Sequence, residues 1–145
     1  EREVIGITLN KPSKVYLKKI PLSKEHFNIN FGGPVDQKSL LFIHKLKKLI
    51  PGAKKIKNDY YFGGDYDILS THITKKNINK IFIYMGYTGW TKSQLTSEIK
   101  ENSWILCNYD LNECFNQKNL WSSIIKTLGE KYAIWINTTK NPNLN

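Results

Sequence analysis

Short apolar runs alternate along this chain with polar stretches rich in lysine and asparagine. Val4 to Leu9 is rich in β-formers and is stopped by Asn10-Lys11-Pro12, where proline removes a donor and restricts its neighbour. Residues 13–30 have mixed apolar spacing, and Pro21 argues against one continuous helix there. Phe31-Gly32-Gly33-Pro34-Val35 predicts a sharp turn, because the glycines supply positive φ and proline sets the exit. Leu40 to His44 and Tyr60 to Phe62 read as strands, with Pro51-Gly52 turning the chain between them. Phe62-Gly63-Gly64-Asp65-Tyr66-Asp67 puts a second glycine pair at a strand end. Asp67 there is placed to cap a helix through Ile68, Leu69 and Ile73, ending near Asn77.

Lys80 to Met85 predicts the next strand, followed by Gly86-Tyr87-Thr88-Gly89-Trp90 and a helix from about Thr91 that carries Leu95 and Ile99. Thr91 is the expected N-cap, with Gln94 in the capping-box position. Trp104 to Cys107 is expected to return as a strand. Leu120, Trp121, Ile124, Ile125 and Leu128 fall at helical spacing, with Gly129 as the stop. Asn137 to Asn145 is polar and reads as a surface tail. With no repeat at a solenoid period, interspersed strands and helices of irregular order predict an α+β fold.

Size and composition narrow the class. The chain has 145 residues, 40% hydrophobic and 12% aromatic, which suits one globular domain spanning 1–145. Its apolar runs are far shorter than the roughly 20 residues a membrane helix needs, so no membrane partner is expected. The net charge is +10, but only one of the 22 basic residues, Arg2, is an arginine. Base-edge and phosphate recognition favour arginine forks, so a solvated lysine coat from A/T-rich codons is preferred over a nucleic-acid partner. Sequence-independent binding through Lys45, Lys47, Lys48, Lys54, Lys55 and Lys57 and through the lysines at 75–80 stays open as an alternative. Cys107 and Cys114 are too few for a disulfide framework and lack a zinc or thioredoxin spacing; Cys107, in an apolar run, reads as a small core residue.

Three groups of residues carry candidate chemistry. Gly32, Gly33, Gly63, Gly64, Gly86 and Gly89 read first as turns that shape the sheet. Their second reading is as nests whose backbone N–H groups meet an anion, although no phosphate-loop or dinucleotide pattern is matched. Trp90, Gln94 and Glu98 fall at i, i+4 and i+8 and form either a ligand-facing stripe or a core anchor with bonded neighbours. Asp65, Asp67 and Glu98, with His44 or His72, are the available acid–base groups, although none sits in a metal-ligand or nucleophile motif.

Several segments, in order, resemble the bacterial YqgE/AlgH family, the UPF0301 proteins. They are Gly6-Ile7-Thr8-Leu9-Asn10-Lys11-Pro12, Phe31 to Val35, Leu41-Phe42-Ile43-His44, Tyr61-Phe62-Gly63-Gly64-Asp65 and Asn141-Pro142-Asn143-Leu144-Asn145. Trp121 with Leu128-Gly129 adds to them. The most specific is Gly86-Tyr87-Thr88-Gly89-Trp90 with Gln94-Leu95 and Glu98-Ile99; Lys92 and Ser93 are its small departures. The resemblance implies a compact domain with a mixed, partly barrel-like β-sheet and flanking helices, a native N-terminal segment ahead of Glu1, a bacterial cytoplasmic location and a link to transcriptional regulation. It implies no catalytic residue, cofactor or metal.

These readings converge on a non-enzymatic binding or regulatory protein with an unidentified protein or small-molecule partner. Its candidate site comprises Gly32, Gly33, Gly63, Gly64, Asp65, Gly86, Gly89, Trp90, Gln94 and Glu98, provided the three glycine motifs meet in space. The alternative from another class is a small-molecule enzyme using Asp65, Glu98 and His44 in the same cleft.

Overall fold

The computed structural model describes residues 3–17, 27–46, 50–74, 76–116, 119–132 and 134. They fall into two compact units, Glu1–Trp104 and Ile105–Asn145. Expectations for Pro21, Lys47, Lys48, Lys75 and the tail from Asn137 lie outside the described residues.

The first unit is built on one long strand. In chain order its strands are β1 (Glu3–Gly6), β2 (Pro12–Leu17), β3 (Phe27–Phe31), β4 (Val35–His44), β5 (Lys54–Lys55), β6 (Tyr61–Phe62) and β7 (Ile81–Thr91). The sheet runs β2-β3-β7-β4-β6-β5, with β1 pairing β7 off this path. β3 lies parallel to β7, whereas β1 and β4 are antiparallel to it. The expectation of a partly barrel-like sheet is therefore corrected. The order has two ends, at β2 and β5, and the sheet is open. Closure would need a ladder joining those ends, and β5, only two residues long, is paired to β6.

The first half of β7 reads as a continuous apolar run because both of its faces are covered. Ile83 faces Ile29 on β3 and Phe42 on β4, and these pack with Ile81, Leu46, Ile50, Leu69 and Ile73 into one cluster. Tyr84 is buried, as is Ile43, whose cross-strand partner is Phe82; Phe82 in turn lies 6.4 Å, ring to ring, from the buried Tyr60.

Helix α1 (Tyr66–Thr71) contributes Leu69 to this core. Its N-cap is Asp65, whose Oδ1 accepts the Ile68 N–H at 2.9 Å. The expectation that Asp67 caps it is thus off by two residues, and the helix ends at His72, short of Asn77. Asp65 wins because its extended backbone aims the carboxylate at the free N–H groups of the first turn. Helix α2 (Lys92–Lys100) starts as expected, with Thr91 Oγ1 accepting the Gln94 N–H at 3.1 Å. The reciprocal half of the capping box does not form, because the Gln94 side chain turns to Glu98 instead.

Residues 104–107 form no strand. Trp104, Ile105 and Leu106 are exposed, and Cys107 is exposed rather than in a core. β-forming composition yields a strand only where a ladder is available, and this run has none in the described sheet. The second unit carries α3 (Leu111–Asn116) and α4 (Leu120–Thr127), the latter burying Leu120 and Ile125, two of the residues expected at helical spacing. Gly129 follows α4 at φ +96°.

Candidate functional site

Two of the three glycine motifs meet. Gly32 N–H donates to Met85 O at 2.8 Å, and Gly32 O accepts from Thr8 N–H at 2.8 Å. A Cβ on Gly32 would collide with the Gly86 carbonyl, one on Gly33 with the Tyr87 backbone, and one on Gly86 with the Gly33 carbonyl. Gly86 also has φ +70° and sits where the β4 register slips between Val35, opposite Tyr87, and Leu40, opposite Met85. The glycines are thus filled by neighbouring backbone: they let the 31–35 turn close against β7 at a bulge. Gly89 is exposed, beside the Tyr87 ring.

Gly63 and Gly64 stand apart. They follow β6, which β4 separates from β7, so Gly64 and Gly86 are about two strand spacings apart laterally, roughly 10 Å. Gly63 has φ +69° and Gly64 φ +108°, and Gly64 packs against Ile50. Gly63 N–H donates to Phe42 O at 2.9 Å, and its carbonyl pairs with His44 Nε2 at 3.0 Å. His44 is fully buried, and its Nδ1 accepts the Leu46 N–H at 3.2 Å. An acceptor at Nδ1 requires the proton on Nε2, so the ring is a neutral imidazole that donates to Gly63. Burial accordingly holds its pKa below the usual histidine value, against the opposing pull of the Gly63 bond. Both nitrogens are committed to backbone, and the ring is a brace for the Gly63 turn.

The acidic candidates separate as well. Asp65 is exposed and caps α1, while Asp67 is exposed in its first turn. His72 is bound locally, its Nδ1 2.9 Å from Ile68 O. Among the described residues, no three His, Cys, Asp or Glu side chains gather as a metal-binding group.

Trp90, Gln94 and Glu98 do come together, and a fourth residue joins them. Trp90, next to last in β7, lies opposite Val4 of β1, and its ring lies over Gly6, where an added Cβ would fall 2.7 Å from Cζ3. The Trp90 indole N–H donates to Glu98 Oε2 at 3.0 Å, and the Gln94 amide donates to Oε1 at 2.8 Å. Trp104 supplies a third donor, its indole N–H reaching Glu98 Oε2 at 2.8 Å. The two indoles meet edge to face, with centroids 5.4 Å apart and planes at 80°. The Trp104 and Gln94 bonds, aided by Trp90, hold the Glu98 carboxyl below the usual carboxylate range.

The turn after α2 makes this corner. Asn102 adopts φ +58° while its N–H donates to Ile99 O at 3.1 Å, and Ser103 N–H donates to Glu98 O at 2.9 Å. This is the pairing of a Schellman motif, and it folds the chain back so that Trp104 lies against Glu98. Sequence reasoning missed Trp104 by assigning it to a strand. The available signal was Asn102, a residue type that tolerates the left-handed region, just past the end of an amphipathic helix.

The lysines have a structural account of their own. Lys54 and Lys55 make up the edge strand β5 and are consecutive, so they project to opposite faces. Charged side chains on an edge discourage pairing with another chain. Lys45 Nζ lies over the Tyr60 ring, 4.6 Å from its centroid. Among the described residues, no helix is long and apolar enough to cross a membrane.

Comparison with known proteins agrees with this architecture. The family described as AlgH-like, DUF179, matches residues 1–133. A UPF0301 protein of Bacteroides fragilis is 33% identical over 159 aligned residues that take in 100% of this chain and 77% of the relative. A UPF0301 protein of Parabacteroides distasonis is also 33% identical, with the same two coverages. Among solved structures, the AlgH protein from Pseudomonas aeruginosa superposes with a TM-score of 0.73 at 22% identity, covering 92% of this chain and 77% of that one. A protein from Corynebacterium diphtheriae gives 0.69 at 14%, covering 92% and 75%. At those identities the two structures speak for the fold alone. The family match across residues 1–133, the relatives and the ordered glycine and tryptophan motifs together make this chain a member of the UPF0301, or YqgE/AlgH, family.

Proposed function

We infer that the protein is a non-enzymatic binding protein whose recognition surface is the corner formed by Trp90, Gln94, Glu98 and Trp104. One observation carries this reading: Glu98 is held ionised by three side-chain donors, while Trp104 beside it remains 45% exposed. A carboxylate stabilised in its charged form is a poor proton donor near neutral pH, where a general acid needs a raised pKa. His44 is committed to backbone through both nitrogens and Asp65 to a helix cap, which weighs against the enzyme alternative built on them. A half-exposed aromatic pair on a rigid strand–helix junction is instead the kind of surface that recognition uses. The glycines at 32, 33 and 86 support it as scaffold by allowing the close backbone approach on β7. A cytoplasmic, regulatory role fits this reading, and two unpaired cysteines support a reducing compartment.

The test is a ligand screen on the intact ¹⁵N-labelled chain, watched through its four indole N–H resonances. Compounds that move the Trp90 and Trp104 signals and lose their effect in Trp104→Ala support the reading. Chemical turnover of such a compound, or equal binding to the variant, overturns it.

A further inference from the structure

We propose that the Trp90–Glu98–Trp104 corner binds an organic cation, an ammonium or guanidinium group, with the half-exposed Trp104 ring as platform and the Glu98 carboxylate as counter-charge. The proposal rests on the reading of this corner as the recognition surface and names the chemistry it would take.

The charge at this corner is uncompensated. All three side-chain partners of Glu98 are neutral donors, two indole N–H groups and one carboxamide. Hydrogen bonds from neutral groups stabilise the carboxylate but leave its negative charge in place. The chain carries a net +10, yet among the described residues no lysine pairs with Glu98. Among the described residues, lysines lie over aromatic rings in the pairs Lys11 over Phe31, Lys45 over Tyr60 and Lys131 over Tyr132. Among the described residues no lysine lies over Trp90 or Trp104, although tryptophan is the strongest cation–π acceptor.

The hydrogen bonds also tune the rings. An indole that donates its N–H to a carboxylate gains electron density on its π-face, which strengthens its attraction for a cation. Both indoles donate to the same oxygen, and the one donating at 2.8 Å is Trp104, the exposed ring. Trp90 is covered on the Gly6 side, which leaves Trp104 as the accessible platform. A divalent metal suits the corner poorly. Calcium or magnesium asks for six or more oxygen ligands and zinc for about four donors, whereas here one carboxylate has both oxygens already accepting. A weakly hydrated organic cation can contact the ring face and the charge without displacing those donors.

The experiment titrates choline, standing for a free quaternary ammonium, into the ¹⁵N-labelled intact chain. A parallel arm uses acetyl-Gly-Lys-Gly-amide, standing for a polypeptide lysine, and whichever arm saturates at lower concentration identifies the source. Expected are saturable shifts of the Trp90 and Trp104 indole signals with a Kd of about 1–10 mM, the range of one desolvated cation–π contact with a nearby charge. Choline's neutral isostere 3,3-dimethyl-1-butanol and matched sodium chloride should leave them unmoved. Glu98→Gln should weaken binding about tenfold, and Trp104→Phe, which keeps a ring in place, should retain a weaker response. Equal shifts with the neutral isostere, or none with either cation, overturn the proposal. If a neutral or anionic compound moves the same two signals, the cation inference falls and the recognition surface stands; if no compound of any charge moves them, both fall.

Discussion

Trp90 and Trp104, fourteen positions apart, donate their indole N–H groups to the same oxygen, Glu98 Oε2, at 3.0 and 2.8 Å. One comes from the end of a strand and the other from the turn after a helix. A single carboxylate on α2 therefore joins the residues flanking that helix on both sides, one of them on β7, and its charge state governs the corner.

Acid titration should expose that dependence. The Glu98 pKa is lowered in the folded state, so its contribution is present above the ordinary carboxylate value of 4.5 and is lost as pH falls through the folded value. The Trp90 and Trp104 indole resonances should move together below pH 4.5, and Glu98→Gln should remove that titration. Independent midpoints for the two signals would mean that they do not share this acceptor.

His44 predicts a second acid limb at higher pH. Its folded pKa is depressed, so the unfolded chain binds a proton first and stability declines as pH falls below 6.5 towards the folded value. Thermal unfolding midpoints measured from pH 8 to pH 5 should fall in the wild type. In His44→Gln they should change little across that range while lying lower at pH 8, by about 1–3 kcal/mol for two disturbed buried bonds. A wild-type profile flat from pH 8 to pH 5 would contradict the neutral, doubly bonded ring.

The glycines should divide by cause. Gly86→Ala places a methyl against the Gly33 carbonyl at a positive φ, and a cost of about 3 kcal/mol or more is expected. Gly63→Ala meets nothing within 4 Å and should cost only the left-handed backbone penalty, about 1 kcal/mol. Urea denaturation of the two variants gives the ranking, and equal losses would refute the close-approach account.

Asn102 should prove to be the residue that delivers Trp104. Asn102→Gly keeps the left-handed turn and should preserve the downfield Trp104 indole signal. Asn102→Val should cost about 1–2 kcal/mol and return that signal towards its solvent-exposed position.

The lysines of β5 should act on association. Lys54→Val with Lys55→Ile turns the edge strand apolar, and sedimentation velocity should then show concentration-dependent oligomers absent from the wild type. Reversing both to glutamate should leave retention on duplex DNA at low salt unchanged, since side chains on opposite faces cannot track one phosphate backbone together.

What the sequence determined by itself is the local chemistry. Thr91 caps α2 because a hydroxyl next to free N–H groups needs only adjacent residues. The spacing of Leu120, Trp121, Ile124, Ile125 and Leu128 defines α4, and the glycine pairs mark sharp turns wherever they are found. Gln94 and Glu98 were legible as one face because helical periodicity puts i and i+4 together, whereas Trp90 joins them from β7, since the helix does not begin early enough to include it. Tertiary structure decided what depends on partners distant in sequence. Whether Trp104–Cys107 became a strand depended on a ladder that the sheet does not offer, so residues that read as core are exposed. That the sheet stays open was not legible, because nothing in a strand's own sequence says which neighbour its far edge will meet. Gly33 and Gly86 meet while Gly64 does not, because strand order, set by which apolar faces pack, puts β4 between them.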